Sequence, residues 1–501
     1  MQKLINQTVK SLWKLTVITL IIYGLIFPTY PSYANTPVNN ERAKIIHVLN
    51  RLAFGPQPGD IEKIESQGIN SYIQSQLNPQ MISDPPTLRT QLQQLPVLSL
   101  DPVQVFQQYW PVKPKDPKKP TPQDNQAALR KRQQVLNQAR KARLIRVVSS
   151  KKQLQEVMVD FWFNHFNVDA SKAQTKVWIA SYDEKAIRPH VFGKFRDLLG
   201  ATAKHPAMLF YLDNWLNTAP GSKGMKGNFK GLNENYAREL MELHTLGVEG
   251  GYTQQDVISL AKILTGWGIE RRQGNTGFVF DSDRHDFSDK VFLGKTIKGS
   301  GLLEGEQALD LLAKHPATAR HISYKLAQYF VADQPPASLV KTLSDKFLAT
   351  DGNIKEVLTT LFNSTEFWQP QYYGAKFKTP YRFVISAVRA TGTDQPNTNR
   401  ILNMIGQLGM PLYTCLTPDG YKNTQDVWLN PDAMMRRVSI VNPIARGELN
   451  IDKAKQKPVN PQVLTQTLGN NFSTKTSQVI ETSPPNLRSA LILGSPEMMR
   501  N

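Results

Sequence analysis

The sequence predicts a mainly α protein, a multi-helix globular body with a small β-hairpin near residues 277–297. Three observations carry that prediction. Apolar residues recur at helical spacing, as in Ile45, Ile46, Leu49, Leu52 and Ala53. Glycine and proline punctuate those stripes where helices stop or restart. The best strand pair is Phe278-Val279-Phe280 with Val291-Phe292-Leu293, placed around DSDRHDFSDK. With 501 residues, 40% of them apolar, the chain can bury a sizeable core and hold two or three domains.

The elements follow in order. Lys3, Lys10 and Lys14 precede an apolar run from Leu15 to Phe27, too short for a comfortable span. Ser32-Tyr33-Ala34 then offers the small residues a signal peptidase reads, so residues 1–34 are expected to be a cleaved signal peptide. An uncleaved anchor is the alternative; no cysteine there could take a lipid. The expected location is therefore exported, periplasmic or extracellular, with no stable membrane span after cleavage. Removing residues 1–34 takes away three lysines and no acids, lowering the net charge from +19 to +16. On an exported chain that charge suits solubility, or anionic glycans and surfaces, before nucleic acid. Cys415 is the sole cysteine, so no internal disulfide can form.

Residues 35–110 form an N-terminal helical segment, broken at Gly55-Pro56 and Pro58-Gly59. Residues 111–125 are expected to be a Pro/Lys linker. The main helical domain is placed at 126–445. It opens with a basic helix over 126–148, a charged surface helix or an anion-binding arm. The next helix ends in FWFNHF: Leu154, Met158, Phe161, Trp162 and His165 share one face, and Glu156, Asp160 and Asn164 another. Arg188-Pro189-His190 breaks a helix. AKHPA occurs at Ala203–Ala207 and Ala313–Ala317, predicting two helix joints of one kind. The loop TAPGSKGMKGNFKG (218–231) has four glycines and three lysines after Pro220, yet lacks the ending of a P-loop. It reads as a flexible lid or a surface loop, with an anion site at the following helix as the sharper reading. Residues 410–432 are a loop rich in Pro, Gly and aromatics. Residues 446–501 are expected to be a partly ordered C-terminal segment that returns to the body.

The densest mixture of charge, aromatics and turns runs from Gly231 to Gly268. Asn233 can cap a helix that runs to about Leu246 and stops at Gly247. Thr253 and Asp256 make a capping box for a second helix ending near Gly266. On the first helix Glu234, Asn235, Arg238, Glu239 and Glu242 share one side. Glu234 reaches Arg238, and Arg238 reaches Glu242, at i,i+4. His244 falls in the apolar arc. Two readings stand side by side. One is a solvated, ion-paired face with a core histidine. The other is three carboxylates around an arginine lining a cleft, with a histidine nearby. In the hairpin loop Asp281, Asp283, His285 and Asp286 cluster without EF-hand spacing. They read as a solvated tip, or as a metal or proton-transfer loop facing the central helix. There is no HExxH, ExxH, GxSxG or cysteine pair.

Several motifs run in order along the chain: FWFNHF (161–166), IRPH (187–190), HPAMLFYLDN (205–214), NENYARELMELHTLG (233–247), GGYTQQDV, LTGW, His285-Asp286, KTPYRFV (378–384), PDGY (418–421) and SPE (495–497). On these the chain resembles the bacterial domain-of-unknown-function 1800 family over essentially its whole mature length. The resemblance implies an exported, mainly helical protein of uncharacterised activity. It also implies an association with a sulfatase-like family, which makes a sulfatase-like envelope protein a candidate partner. One departure is visible: Arg382 stands where such proteins tend to have an acid.

Two functions follow as expectations. The first is a hydrolase acting on envelope or extracellular glycan or other anionic material. Its candidate catalytic residues are Glu234, Arg238, Glu239, Glu242 and His244. The carboxylates would supply acid and base, or oxygens for a divalent metal, and Arg238 would hold an anionic group. Asn164, His165, Asn214, Asn235, His285 and Asp286 would support them. The second is a non-catalytic envelope scaffold whose same residues form a sealed ion-pair network. Carboxylates converging on an open cleft favour the first, and carboxylates each paired and buried favour the second.

Overall fold

The structure is a computed structural model that describes residues 40–110 and 121–501. The signal segment and most of the Pro/Lys stretch lie outside the described residues. Among those described, 23 α-helices and two small two-stranded sheets build the protein, so it is mainly α. No helix among them is long and apolar enough to cross a membrane.

The helices that frame the site are few. They are α1 (Asn40–Leu52), α2 (Pro122–Ser149), α3 (Gln153–His165), α4 (Thr175–Ser181), α5 (Phe195–Ala203) and α6 (Pro206–Tyr211). Farther along come α7 (Asn235–Glu242), α8 (Gln254–Ile263), α9 (Leu302–Lys314), α10 (Pro316–Phe330) and α11 (Pro380–Ala390). One hydrophobic core runs from Ile45 to Met499, so the first and last helices share it. Every residue of α11 is buried. Residues 446–501 carry the helices Pro461–Thr467, Thr474–Thr482 and Pro485–Leu493, and Arg500 pairs with Phe377.

The basic helix α2 starts at Pro122, inside the stretch taken for linker. Thr121 and Asp124 form a capping box there, and proline suits the first turn because its missing N–H has no helical partner to lose. Nor is α2 a free cationic arm. Arg143 is buried on Asp183 (2.8 Å) and Asp160 (3.2 Å), and Arg146 pairs with Glu184. Arg140 donates to the Leu412 carbonyl at 3.1 and 3.0 Å, and Arg132 lies 3.7 Å over the Trp110 ring. The polar face of α3 is likewise inside: Glu156 holds Arg188 at 2.7 Å, next to a π-helical turn at Tyr182–Ile187.

The AKHPA joints behave alike. His205 and His315 each cap their own helix, accepting the N–H of Ala207 at 3.2 Å and of Ala317 at 3.1 Å.

The strand pairing differs from the single hairpin expected between 278–280 and 291–293. Strand β1 (Trp267–Ile269) pairs with β2 (Phe278–Phe280), Trp267 opposite Phe280. Strand β3 (Lys290–Phe292) pairs with β4 (Lys295–Ile297), Lys290 opposite Ile297. Leu293-Gly294 turns left-handed at both residues (φ 48° and 70°), so β3 folds straight back on β4. The segment between β2 and β3 does not project as a tip, because Arg284 and His285 within it are buried.

Candidate functional site

The short helix α7 is the scaffold. The Asn233 side chain accepts the Asn235 N–H at 3.0 Å and starts it. At the other end the Gly247 N–H reaches the Met241 carbonyl at 3.2 Å, with a left-handed φ of 83°. Between them, the expected ion pairs form: Arg238 lies 3.4 Å from both Glu234 and Glu242. Gln254 on α8 closes the set, accepting from Arg238 and donating to Glu234, both at 2.8 Å. This part of the helix is a half-exposed, mutually paired network. It joins two helices and leaves Arg238 no free fork for a ligand.

Glu239 is different. Among the described residues its carboxylate accepts no hydrogen bond and makes no ion pair. Partial burial, then the charges of Glu242 and Asp419, push its pKa up, with Arg238 opposing.

Asp419 comes from the loop 410–424, which α3 holds down. Asn164 donates to the Tyr421 carbonyl and accepts the Tyr421 N–H, both at 2.8 Å. Asn167 donates to the carbonyls of Cys415 (3.0 Å) and Thr417 (2.8 Å). The Tyr211 hydroxyl donates to the Leu416 carbonyl at 2.9 Å. Gly420 fits only as glycine: its φ is 73°, and a Cβ would meet the Asn164 carbonyl oxygen at 2.2 Å. Partial burial works against the Asp419 charge. Hydrogen bonds from Lys422 (2.7 Å) and Thr417 outweigh it and hold the carboxyl below its usual pKa. So one carboxyl favours its proton and its neighbour favours its charge.

Behind this pair lies a histidine cluster. His165 donates from Nε2 to the His244 carbonyl at 3.0 Å, which leaves its buried Nδ1 an acceptor without a donor. The His165 ring lies 6.1 Å from that of His244 and 6.2 Å from that of His321. Burial, then Lys325, then His321 lower His244 to about 3, so it stays neutral near neutral pH. Lys325 is itself lowered to about 8 by burial and by Lys422, with Asp419 opposing. Among the described residues no group of three or more His, Cys, Asp or Glu is arranged to hold a metal ion.

A family model described as "Protein of unknown function (DUF1800)" matches residues 47–500. The chain belongs to this family. No curated protein and no solved structure matches it. Nearly all the described residues of this DUF1800 chain, and all those of the site, fall inside the matched range.

The remaining site candidates separate. Asn164 holds the loop, His165 meets His244, and Glu239 feels the charge of the loop's Asp419. Asn235 donates to the Leu212 carbonyl at 3.1 Å and ties α7 to the end of α6. Asn214 is buried, donating to the carbonyls of Leu264 (3.3 Å) and Trp267 (3.4 Å). His285 does not face α7. Its ring nitrogens bond the Thr265 carbonyl and Glu304, both at 2.8 Å, and Glu304 also holds Lys290 at 2.6 Å. Asp286 accepts the Ser288 N–H at 2.9 Å in a local turn. Lys290 and His285, both held on Glu304, brace β3 against α9, because buried polar groups need partners.

Sequence reasoning missed Asp419, Lys422, His321 and Lys325. The PDGY motif carried the first without showing a role for it. His321 and Lys325 are i,i+4 on α10, a spacing that places both on one face but cannot say which helix they meet.

Proposed function

We propose that this DUF1800 protein is an exported hydrolase. Its field of action is the periplasm or the cell exterior, and its substrate is glycan or other anionic envelope material. Glu239 is the proton donor, and Asp419 is the carboxylate that activates water or attacks. The observation that carries this reading is a partly buried, unpartnered Glu239 that feels the charge of Asp419, whose own charge Lys422 and Thr417 stabilise. Carboxyls whose environments push them apart in this way divide acid and base roles between them. Lys325, which feels the charges of Asp419 and Lys422, is a cation available to an anionic substrate group. His165 and His244 are neutral and buried, so they shape the wall behind the pair. The basic N-terminus and Ser32-Tyr33-Ala34 support export.

The scaffold reading draws on a separate observation, the closed set of Glu234, Arg238, Glu242 and Gln254. In that reading the exposed side of α7 and α8 is a contact surface for a sulfatase-like envelope protein. The hydrolase reading is preferred because Glu239 stands outside the closed set.

The test is release of reducing ends from acidic and neutral bacterial polysaccharides by the purified full chain, with Glu239→Gln and Asp419→Asn alongside. The expected result is activity in the parent chain and a loss of at least about 100-fold in each variant, with melting unchanged. No release from any polysaccharide, or variants as active as the parent, would overturn the hydrolase and leave the scaffold.

A further inference from the structure

Away from α7 the surface holds a cleft of about 460 Å³ beneath the 218–231 loop. Trp215, Phe229, Arg271 and Arg284 line it, and Asp281 and Asp283 stand along its edge. None of these residues takes part in the Glu239–Asp419 pair.

The cleft is built with care. Arg284 is 5% exposed at its side chain and is threaded between two glycines. A Cβ at Gly224 would lie 2.3 Å from Arg284 Cγ, and one at Gly268 would lie 2.6 Å from Arg284 Nη2. So held, Arg284 donates to Asp281 at 2.8 Å and to the Trp215 carbonyl at 2.9 Å, and its guanidinium lies 4.3 Å over the Phe229 ring. That stack fixes Phe229, the one aromatic residue of the 218–231 loop. Arg271 lies 5.6 Å over the Trp215 ring on the other side. The loop reaches the cleft by backbone bonds, Gly224 N–H to the Asp283 carbonyl and Ala219 N–H to the Arg284 carbonyl, both at 2.8 Å. Its three lysines, Lys223, Lys226 and Lys230, are exposed.

We infer that this cleft binds an acidic oligosaccharide. The partly exposed Phe229 ring, with Arg284 over one face, offers its other face to the C–H side of a pyranose, while Trp215, stacked on Phe210 and under Arg271, forms the wall. Asp281 and Asp283 offer acceptors to hydroxyls. Lysines on the loop and Arg271 match carboxylate or sulfate groups. A polyphosphate would meet the two carboxylates without hydroxyls to satisfy them, and a neutral sugar would leave the cations unused. This goes beyond the hydrolase reading and does not depend on it, since it is tested by binding and not by turnover.

The experiment is calorimetric titration of the full chain with three probes: an oligogalacturonate, a heparin-derived tetrasaccharide and neutral maltotetraose. Phe229→Ala, Lys226→Glu and, as a control on α2, Lys141→Glu are titrated beside it, each checked by thermal melting. The expected result is binding of at least one acidic probe, at least about tenfold tighter than the neutral one. Phe229→Ala should weaken it about five- to tenfold and Lys226→Glu by a smaller factor, while the control changes less than about twofold. Which acidic probe binds tells a carboxylate ligand from a sulfated one. Failure of both acidic probes, equal binding of maltotetraose, or parent-like binding by Phe229→Ala and Lys226→Glu would each overturn the inference. Should Phe229→Ala melt early, Lys226→Glu on the exposed loop decides.

Discussion

His285, Glu304 and Lys290 form one cluster of acid, base and histidine; Glu239, Asp419, Lys422 and the histidines behind them form another. In the first, His285 and Lys290 each meet a different oxygen of a Glu304 side chain with no exposure at all. In the second, Glu239 has no partner and is only partly buried. The two are made of the same residue types. What separates a brace from a candidate site is therefore the partner count, not the composition. A buried group that is fully paired stabilises one packing arrangement, whereas an unpaired group at a surface leaves an interaction for something else to make.

The contrast breaks most sharply under mutation. Glu304→Ala takes from the buried Lys290 and His285 the carboxylate that both bond, leaving Lys290 only the more distant Asp286 at 3.7 Å, and the expected cost is about 3–5 kcal/mol. Urea unfolding of the variant measures it. A loss below about 1 kcal/mol would mean the cluster is no brace, and the comparison would collapse. Glu239→Gln, by contrast, removes no hydrogen bond or ion pair and should unfold with a midpoint close to the parent's.

A second change probes what the open cluster rests on. Asn164→Ala deletes both hydrogen bonds to Tyr421 and leaves two backbone groups of the loop to find other partners. The expected loss is about 1–3 kcal/mol, with faster hydrogen exchange at the amides of 416–422 than elsewhere. Uniformly faster exchange over the whole chain would show that Asn164 supports the core and not the loop.

Much of the fold was legible. Period and punctuation found the helices, and two identical pentapeptides foretold two identical caps at His205 and His315. Local chemistry carried those readings: proline at a first turn and a left-handed glycine at Gly247. The strand pairing failed because Leu293-Gly294 turns where the apolar run Val291-Phe292-Leu293 suggested that the strand continues. The site was half legible for a related reason. The i,i+4 pairs on α7 are local and appeared as expected. Whether His285 or Asp419 lies against α7 is set by contacts across more than a hundred residues in the case of Asp419, and no spacing rule reports those. Charge alone also misled on α2, where long-range partners such as Asp183 and Glu184 absorb arginines that a helical wheel leaves in solvent.

The smallest expected effect is the most informative, because only Glu239 should show it. Its folded pKa is raised, so the folded chain holds that proton more tightly than the unfolded chain does. The stabilisation this gives is fully present below the ordinary carboxyl pKa and is lost as pH rises through the raised folded value. Glutamine at 239 cannot ionise and has nothing to lose. The stability of Glu239→Gln relative to the parent should therefore climb between about pH 4 and about pH 7, by less than about 1 kcal/mol since solvent screens a half-open carboxyl. The same substitution made with Asp419→Asn should climb less, because one of the charges that raises the Glu239 pKa is gone. A difference that stays flat with pH would mean Glu239 ionises as an ordinary surface acid. The open cluster would then lose its proton donor, and α7 would join the His285 cluster as a second brace.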